Sequence, residues 1–304
     1  MSCPICLRPS DSSSYHDRCS RRLFGTRAVP DLDIDLARLH TVALAMVGRT
    51  TLSGIQRKIS IDLAIERGAL RLVLGTGHFI LKPQAQTFPE IPQNELLTMR
   101  MAERVGIDIP PCGLVRLRDD TLAYIVRRFD RLADKRKLLQ EDFCQLAEQP
   151  PKDKYEGSAE LCVRLLRRYA SEPPVDVLRL FRLIVFSWWT GNGDMHLKNF
   201  SLLTGEDGLH RLSPAYDLVC TRLVIPDDQL ALSVGGKRDR LARQDWLGFA
   251  QYGAIPERSA RRVLTTIVSS LDACVEMIDR SFLSAPFKNA YRDLLRERTG
   301  VLAG

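Results

Sequence analysis

An α+β chain of two lobes, the first built on strands and the second on helices, is what three features of the sequence predict. Between Lys58 and Arg127 short apolar runs alternate with polar residues, the period of half-buried strands, and Gly, Asp and Pro separate them. Beyond Glu141 the apolar spacing lengthens to that of helices. No internal repeat or long low-complexity tract interrupts this order, and 304 residues can hold two lobes. Strands first and helices after describe an α+β chain.

The elements follow in order. Residues 1–30 stand apart, Ser-rich and poorly periodic, with Cys3-Pro4-Ile5-Cys6 and His16-Asp17-Arg18-Cys19. Cys3, Cys6, His16 and Cys19 are four soft ligands at a spacing able to close a tetrahedral Zn²⁺ site. A packed, metal-free segment and redox chemistry are the other readings of the same residues. Asp33 to Val47 reads as an amphipathic helix, with Leu36, Leu39, Ala43, Met46 and Val47 at helical spacing. Lys58 to Ile65 alternates as a strand, Arg67-Gly68-Ala69 turns, and Leu70 to Leu74 returns. His78 to Lys82 is a further strand, and Glu95 to Val105 a helix ended by Gly106. Gly113 to Arg118 and Leu122 to Arg127 form a hairpin across Asp119-Asp120. The expected domains are the Cys/His segment at 1–30, a strand-rich lobe at 31–127 and a helical lobe at 128–304.

Composition narrows the class. Hydrophobic content of 45% and charged content of 27% are those of a soluble globular protein. The longest apolar run, Leu180 to Trp189, is short and broken by Arg182, and the N-terminus lacks a signal core. The expectation is a cytoplasmic protein with no membrane partner. Cys112, Cys144, Cys162, Cys220 and Cys274 are scattered singly, as reduced thiols are. The net charge of +7 comes from Arg residues spread along helix faces, such as Arg164, Arg167, Arg168 and Arg258, Arg261, Arg262. Solvated faces account for them, and they do not argue for direct DNA binding.

The chemistry lies in Gly191-Asn192-Gly193-Asp194-Met195-His196-Leu197-Lys198-Asn199-Phe200 and, shortly after, Ser213-Pro214-Ala215-Tyr216-Asp217. An Asp, an Asn five positions on and a second Asp beyond a short hairpin are the polar kit of a kinase catalytic loop. Asp194 would orient the acceptor hydroxyl, while Asn199 and Asp217 would hold Mg²⁺ on the phosphates. Phosphoryl transfer is mostly positioning and charge neutralisation, so it needs carboxylates and an amide on rigid backbone. Asn199 to Leu203 and Leu209 to Ser213 read as hairpin strands, which would bring Asn199 and Asp217 to neighbouring strand ends. Lys198 could neutralise the moving phosphoryl group, and His196 holds the loop by hydrogen bonds. Lys82 ends an apolar strand, where a kinase places the lysine that meets nucleotide phosphates. Glu95 is its candidate ion-pair partner, or a plain helix acid favoured by the macrodipole.

These segments resemble the HipA-like serine/threonine kinases, the toxins of bacterial toxin–antitoxin systems. Alongside the Gly191 to Ser201 signature, Ser53-Gly54-Ile55-Gln56-Arg57-Lys58, Phe79-Ile80-Leu81-Lys82-Pro83, Arg128-Phe129-Asp130-Arg131, Glu141-Asp142-Phe143-Cys144-Gln145-Leu146 and Lys154-Tyr155-Glu156-Gly157-Ser158 look like the same family, in order, from about Arg49 to Val219. The resemblance implies a protein-kinase-like two-lobe fold and an ATP- and Mg²⁺-dependent kinase. It places the phosphate-cradling loop at Ser53 and Gly54, backbone contacts to adenine at Arg127 and Phe129, and His196 beside the nucleotide. Only a short segment precedes Ser53-Gly54, which resembles the HipT-type toxins. That likeness implies a HipS-like small protein and a HipB-like DNA-binding antitoxin as partners, with DNA reached only through the antitoxin. It also implies an aminoacyl-tRNA synthetase as the phosphorylated target. In HipT-like kinases a Ser-x-Ser pair is autophosphorylated, and here Thr51 and Ser53 stand at the matching positions. Two rival readings are a kinase-like subunit that only binds nucleotide or partner, and a metal-dependent hydrolase using Asp194, His196 and Asp217.

Overall fold

A computed structural model describes residues 2–10, 15–46, 58–66, 69–74, 77–134 and 136–304. Thr51, Ser53 and Gly54 lie outside the described residues. The chain divides into two compact units. One comprises Met1–Arg100, Pro110–Arg136 and Arg280–Leu283, the other Met101–Ile109, Lys137–Asp279 and Ser284–Gly304. The fold is mixed α+β, with a β-sheet N-lobe and a helical C-lobe of the protein-kinase-like HipA type.

The first unit contains α1 (Asp17–Phe24), α2 (Leu36–Met46), β1 (Ile59–Glu66), β2 (Ala69–Leu74), β3 (Phe79–Lys82), α3 (Ile91–Arg104, to Arg100 in this unit), β4 (Cys112–Arg116) and β5 (Leu122–Arg127). Its five strands are antiparallel in the order β2-β1-β3-β5-β4. Alternation along the strands decides the faces. Ile59, Ile61, Phe79, Leu81, Val115, Ala123 and Ile125 join one buried cluster with Leu23 and Phe24 of α1 and Leu39 of α2. Burying each such side chain is worth about 1.5–3 kcal/mol. Lys82 and Tyr124 occupy the alternate positions, as register partners on β3 and β5.

Two boundaries differ from the sequence expectation, each for a local reason. Helix α2 begins at Leu36 rather than Asp33 because the Asp35 carboxylate accepts the Arg38 N–H at 2.8 Å, the geometry of a cap. Helix α3 begins at Ile91, four residues before Glu95. Pro92 reads as a breaker in sequence, yet in a first turn its missing N–H costs nothing. The helix end is as expected, with Gly106 left-handed at φ 79°.

The second unit contains β6 (Gln140–Asp142), α4 (Phe143–Leu146), α5 (Ala159–Tyr169), α6 (Pro173–Trp189), β7 (Ser201–Thr204), β8 (His210–Leu212), α7 (Arg243–Tyr252), α8 (Glu257–Val268), α9 (Leu271–Arg280, to Asp279 in this unit) and α10 (Ala285–Ala303). Its small sheet runs β6-β7-β8, all antiparallel. Helix α6 is the core, burying Leu180, Phe181, Ile184, Val185, Trp188 and Trp189. The Trp189 indole donates to Thr299 Oγ1 on α10 at 2.9 Å, which satisfies its buried N–H. Among the described residues, no helix is long and apolar enough to cross a membrane.

Candidate functional site

In the first unit, β3 carries Lys82 to its end and α3 carries Glu95. Both are buried, and Lys82 Nζ lies 2.5 Å from Glu95 Oε1. Glu95 is thus an ion-pair partner and not a first-turn acid. The ammonium also lies 5.3 Å from the centroid of the Tyr124 ring, a second stabiliser of its charge. At the end of β5, the Arg127 N–H donates to the Pro111 carbonyl at 2.8 Å. The segment after it is clamped by Asp130. Its carboxylate receives Arg128 through Nε at 2.8 Å and NH2 at 2.7 Å, and Arg131 at 2.5 Å. Burial pushes the Asp130 carboxyl up, but the two guanidiniums outweigh burial and hold it below the usual range.

In the second unit, the loop after α6 is held by its own backbone and by two side-chain amides. Gly191 turns left-handed at φ 72°. Asn192 N–H donates to the Ser187 carbonyl at 2.8 Å, and Asn192 Oδ1 accepts the Asp194 N–H at 3.1 Å. Gly193 must be glycine, since a Cβ there would sit 2.1 Å from Asp228 Oδ2. Its N–H donates to Thr221 Oγ1 at 2.7 Å, and Thr221 in turn hydrogen-bonds the Asp228 carboxylate. Asn199 closes the loop, donating through Nδ2 to the Asp194 carbonyl at 2.8 Å. Sequence reading placed Asn199 at the start of a strand. It lies instead in a 3₁₀ turn over Leu197–Asn199, with β7 beginning at Ser201.

Around Asp194 the side chains are specific. The Tyr155 hydroxyl donates to Asp194 Oδ1 at 2.7 Å. The buried His196 ring stands edge-on to Tyr155, with centroids 5.1 Å apart, and its Nε2 is 3.9 Å from Asp194 Oδ1. Burial lowers the His196 pKa more than the neighbouring Asp194 and Asp217 charges raise it. Its Nδ1 is buried with no hydrogen-bond partner. His196 therefore holds the loop by ring packing and its backbone, whose N–H donates to the Asp194 carbonyl at 2.9 Å. Lys198 Nζ pairs with Asp142 Oδ2 at 2.6 Å. Asp142 also caps α4, accepting the Gln145 N–H at 2.9 Å while Gln145 returns the bond to its backbone.

Asp217 is left-handed at φ 57°, a conformation Asp tolerates better than most residues. Tyr216 beside it donates to the Lys198 carbonyl at 3.0 Å and shares a 2.5 Å hydrogen bond with Ser201. These bonds tie the Asp217 segment to the Asp194 loop. With Nδ2 committed to the Asp194 carbonyl, Asn199 offers Oδ1, and Asp217 offers a carboxylate. Both are hard oxygens of the kind Mg²⁺ takes, so the donor set fits that ion. Asp194, His196 and Asp217 do not form a three-ligand metal cluster. Among the described residues, only Cys3, Cys6, His16 and Cys19 do. Tyr155, Asp142, Asp130 and Thr221 were not singled out as site residues from sequence. Their contacts span up to 56 positions, and the only signal was that Tyr155, Asp142 and Asp130 sit inside recognisable motifs.

Comparison with known proteins agrees with the fold. A sequence model of the HipA-like C-terminal domain matches residues 50–275. "Putative kinase Y4mE" of Sinorhizobium fredii is 35% identical over 243 residues, covering 76% of this chain and 57% of that protein. "Putative kinase Y4dM" of the same species is 31% identical, covering 80% of this chain and 61% of that protein. The chain thus spans less than two thirds of the length of these curated relatives. A solved chain from the Shewanella oneidensis MR-1 toxin–antitoxin complex of HipA, HipB and operator DNA superimposes with a TM-score of 0.70 at 22% identity, covering 84% of this chain and 66% of that one.

Proposed function

The chain belongs to the HipA-like family, and from that membership we propose that it is an ATP- and Mg²⁺-dependent serine/threonine protein kinase, the toxin of a bacterial toxin–antitoxin system. The observation that carries this reading is the closure of the Asp194 loop by the Asn199 carboxamide at 2.8 Å. One residue thereby rigidifies the loop and keeps its carboxamide oxygen as a hard donor. Tyr155 holds Asp194 Oδ1, so Oδ2 is the oxygen to accept the hydrogen bond of a serine or threonine hydroxyl. As the acceptor Oγ bonds to the γ-phosphorus, the bond to the β-phosphate oxygen breaks and ADP departs. The hydroxyl proton is received at Asp194. Lys82, kept charged by Glu95, meets nucleotide phosphates, and Lys198 can leave Asp142 to meet the transferred group. Asn199 and Asp217 would hold Mg²⁺, which when bound neutralises phosphate charge. With the Arg127 N–H taken by Pro111, adenine would be met here by other backbone groups of the 127–129 segment.

The finer reading is a HipT-type toxin. Its partners would be a HipB-like DNA-binding antitoxin, as in the Shewanella complex, and a HipS-like small protein. Its target would be an aminoacyl-tRNA synthetase, and Ser53, with Thr51 beside it, would be self-phosphorylated. A phosphate there places about two negative charges next to the loop meant for anionic ATP, lowering activity. One experiment tests the core of this. Asp194→Asn keeps shape and removes charge, so phosphoryl transfer should fall about a hundredfold or more with ATP binding retained. Mass spectrometry should find phosphate at Ser53 or Thr51 in the wild type alone. Near-normal autophosphorylation by the variant overturns the role of Asp194. ATP binding without transfer by the wild type would favour the non-catalytic reading.

A further inference from the structure

The N-terminal segment is not used by the proposed chemistry, yet among the described residues it carries the one group of three or more Cys, His or acidic side chains able to hold a metal ion. The ligand atoms of Cys3, Cys6, His16 and Cys19 all lie within 4.8 Å of one another. Cys6 Sγ is 3.3 Å and Cys19 Sγ 3.8 Å from His16 Nδ1. Zinc bonds of about 2.3 Å to sulfur and about 2.0 Å to nitrogen place tetrahedral ligands roughly 3.5–3.8 Å apart, so the Cys19 separation falls in that range, the Cys6 separation is slightly shorter, and small shifts would close the site. The ring is also set in the right tautomer. His16 Nε2 is 3.0 Å from the Pro9 carbonyl, which can only accept, so the proton of the neutral ring is on Nε2 and the Nδ1 lone pair faces the sulfurs. The local fold delivers the pairs. Cys3 and Cys6 lie in a tight turn in which Leu7 N–H donates to the Cys3 carbonyl at 3.0 Å. His16 is the residue that opens α1 and Cys19 lies in its first turn, with Cys19 N–H on the His16 carbonyl at 2.9 Å.

We infer that Cys3, Cys6, His16 and Cys19 bind one Zn²⁺ as a structural site, and that the metal clamps this segment onto the exposed edge of β4. Among the described strands, β4 pairs only with β5, so its outer edge would offer unpaired backbone groups. The segment satisfies them at Leu114. Its N–H donates to the Pro4 carbonyl at 2.8 Å, and its carbonyl accepts the Tyr15 hydroxyl at 2.8 Å. Pro4 lies between two ligands and Tyr15 next to a third, so the metal fixes both groups. The approach needs Gly113, where a Cβ would come within 2.8 Å of Ile5 Cγ1. Three thiols and one imidazole with no open position suit a closed Zn²⁺ site, and binding releases the thiol protons to solvent.

The test uses the full chain purified in reductant without chelator. Elemental analysis should find about one zinc per chain, and replacing it with Co²⁺ should give thiolate charge-transfer bands and tetrahedral d–d bands. His16→Cys, which keeps four ligands, should retain the metal. Cys3→Ser with Cys6→Ser should lose it. Hydrogen exchange of the Leu114 amide should quicken on chelation in the wild type. Failure of the reduced wild type to hold zinc or take up cobalt overturns the site, as does a Cys3–Cys6 disulfide in metal-free native protein. Unchanged Leu114 exchange after the metal is removed overturns the clamp.

Discussion

Two lysines in this protein are held by carboxylates at nearly the same distance, in different surroundings. Lys82 and Glu95 meet at 2.5 Å with side chains 5% and 3% exposed. Lys198 and Asp142 meet at 2.6 Å with side chains 25% and 15% exposed. Coulomb attraction inside a protein exceeds that near water, but so does the cost of desolvating each charge. The buried pair is therefore interdependent, because removing either member takes the nearest opposite charge from a desolvated ion. The partly exposed pair has water as an alternative for both members. Equal geometry thus describes two devices, a cation locked in place in the strand-rich lobe and a cation able to change partners in the helical one.

The comparison makes predictions of decreasing size. Glu95→Ala should destabilise the protein by about 3–5 kcal/mol, since it removes the carboxylate beside a buried ammonium. The urea midpoint should fall accordingly. Lys82→Met combined with Glu95→Leu should recover most of that stability while leaving ATP binding weak. A loss within about 1 kcal/mol for Glu95→Ala would mean that water reaches Lys82, and the contrast would fail.

Asp142→Ala removes a cap and a partly exposed ion pair, and a loss of about 1 kcal/mol is expected. Lys198→Met should cost less than about 1 kcal/mol yet slow phosphoryl transfer, because its proposed work is done away from Asp142. Thermal melts beside single-turnover transfer rates separate the two effects. Equal stability losses for Asp142→Ala and Glu95→Ala would erase the distinction.

The smallest effect is the pH dependence contributed by His196. Burial lowers its folded-state pKa below the ordinary 6.5, so the unfolded chain binds the proton more readily. Its contribution is fully present above about pH 6.5 and is lost as pH falls from there through the folded-state value. Chemical denaturation between pH 8 and pH 5 should show a shallower decline in His196→Leu than in the wild type. An identical decline would mean that His196 is solvated and that its loop is looser than the Lys82 site.

Much of the fold was legible in sequence because strand alternation is a local property. The periods at Ile59 to Ile65, Phe79 to Leu81 and Leu122 to Arg127 sort residues between faces without knowledge of the neighbours. The pairing of Lys82 with Glu95 was one of two readings, and burial of both ends decided it. Helix α3 starts four residues before Glu95, with Pro92 accommodated in its first turn, where a missing N–H is harmless. Asn199 was read as the first residue of the strand that in fact begins at Ser201, whereas its amide serves the Asp194 carbonyl in a turn.

By itself, then, the sequence determined the α+β order, the strand faces, the spacing of the Cys and His pairs, and the residue types of the Asp194 to Asp217 segment. Only the tertiary structure decided what those side chains touch. It set Tyr155 on Asp194 across 39 positions and Lys198 on Asp142 across 56, and it brought Cys3, Cys6, His16 and Cys19 to one point beside the edge of β4. The reason is physical. Periodicity and turn chemistry act over a few residues, whereas the partner of a buried charge or thiol is whichever group the packed chain carries to it.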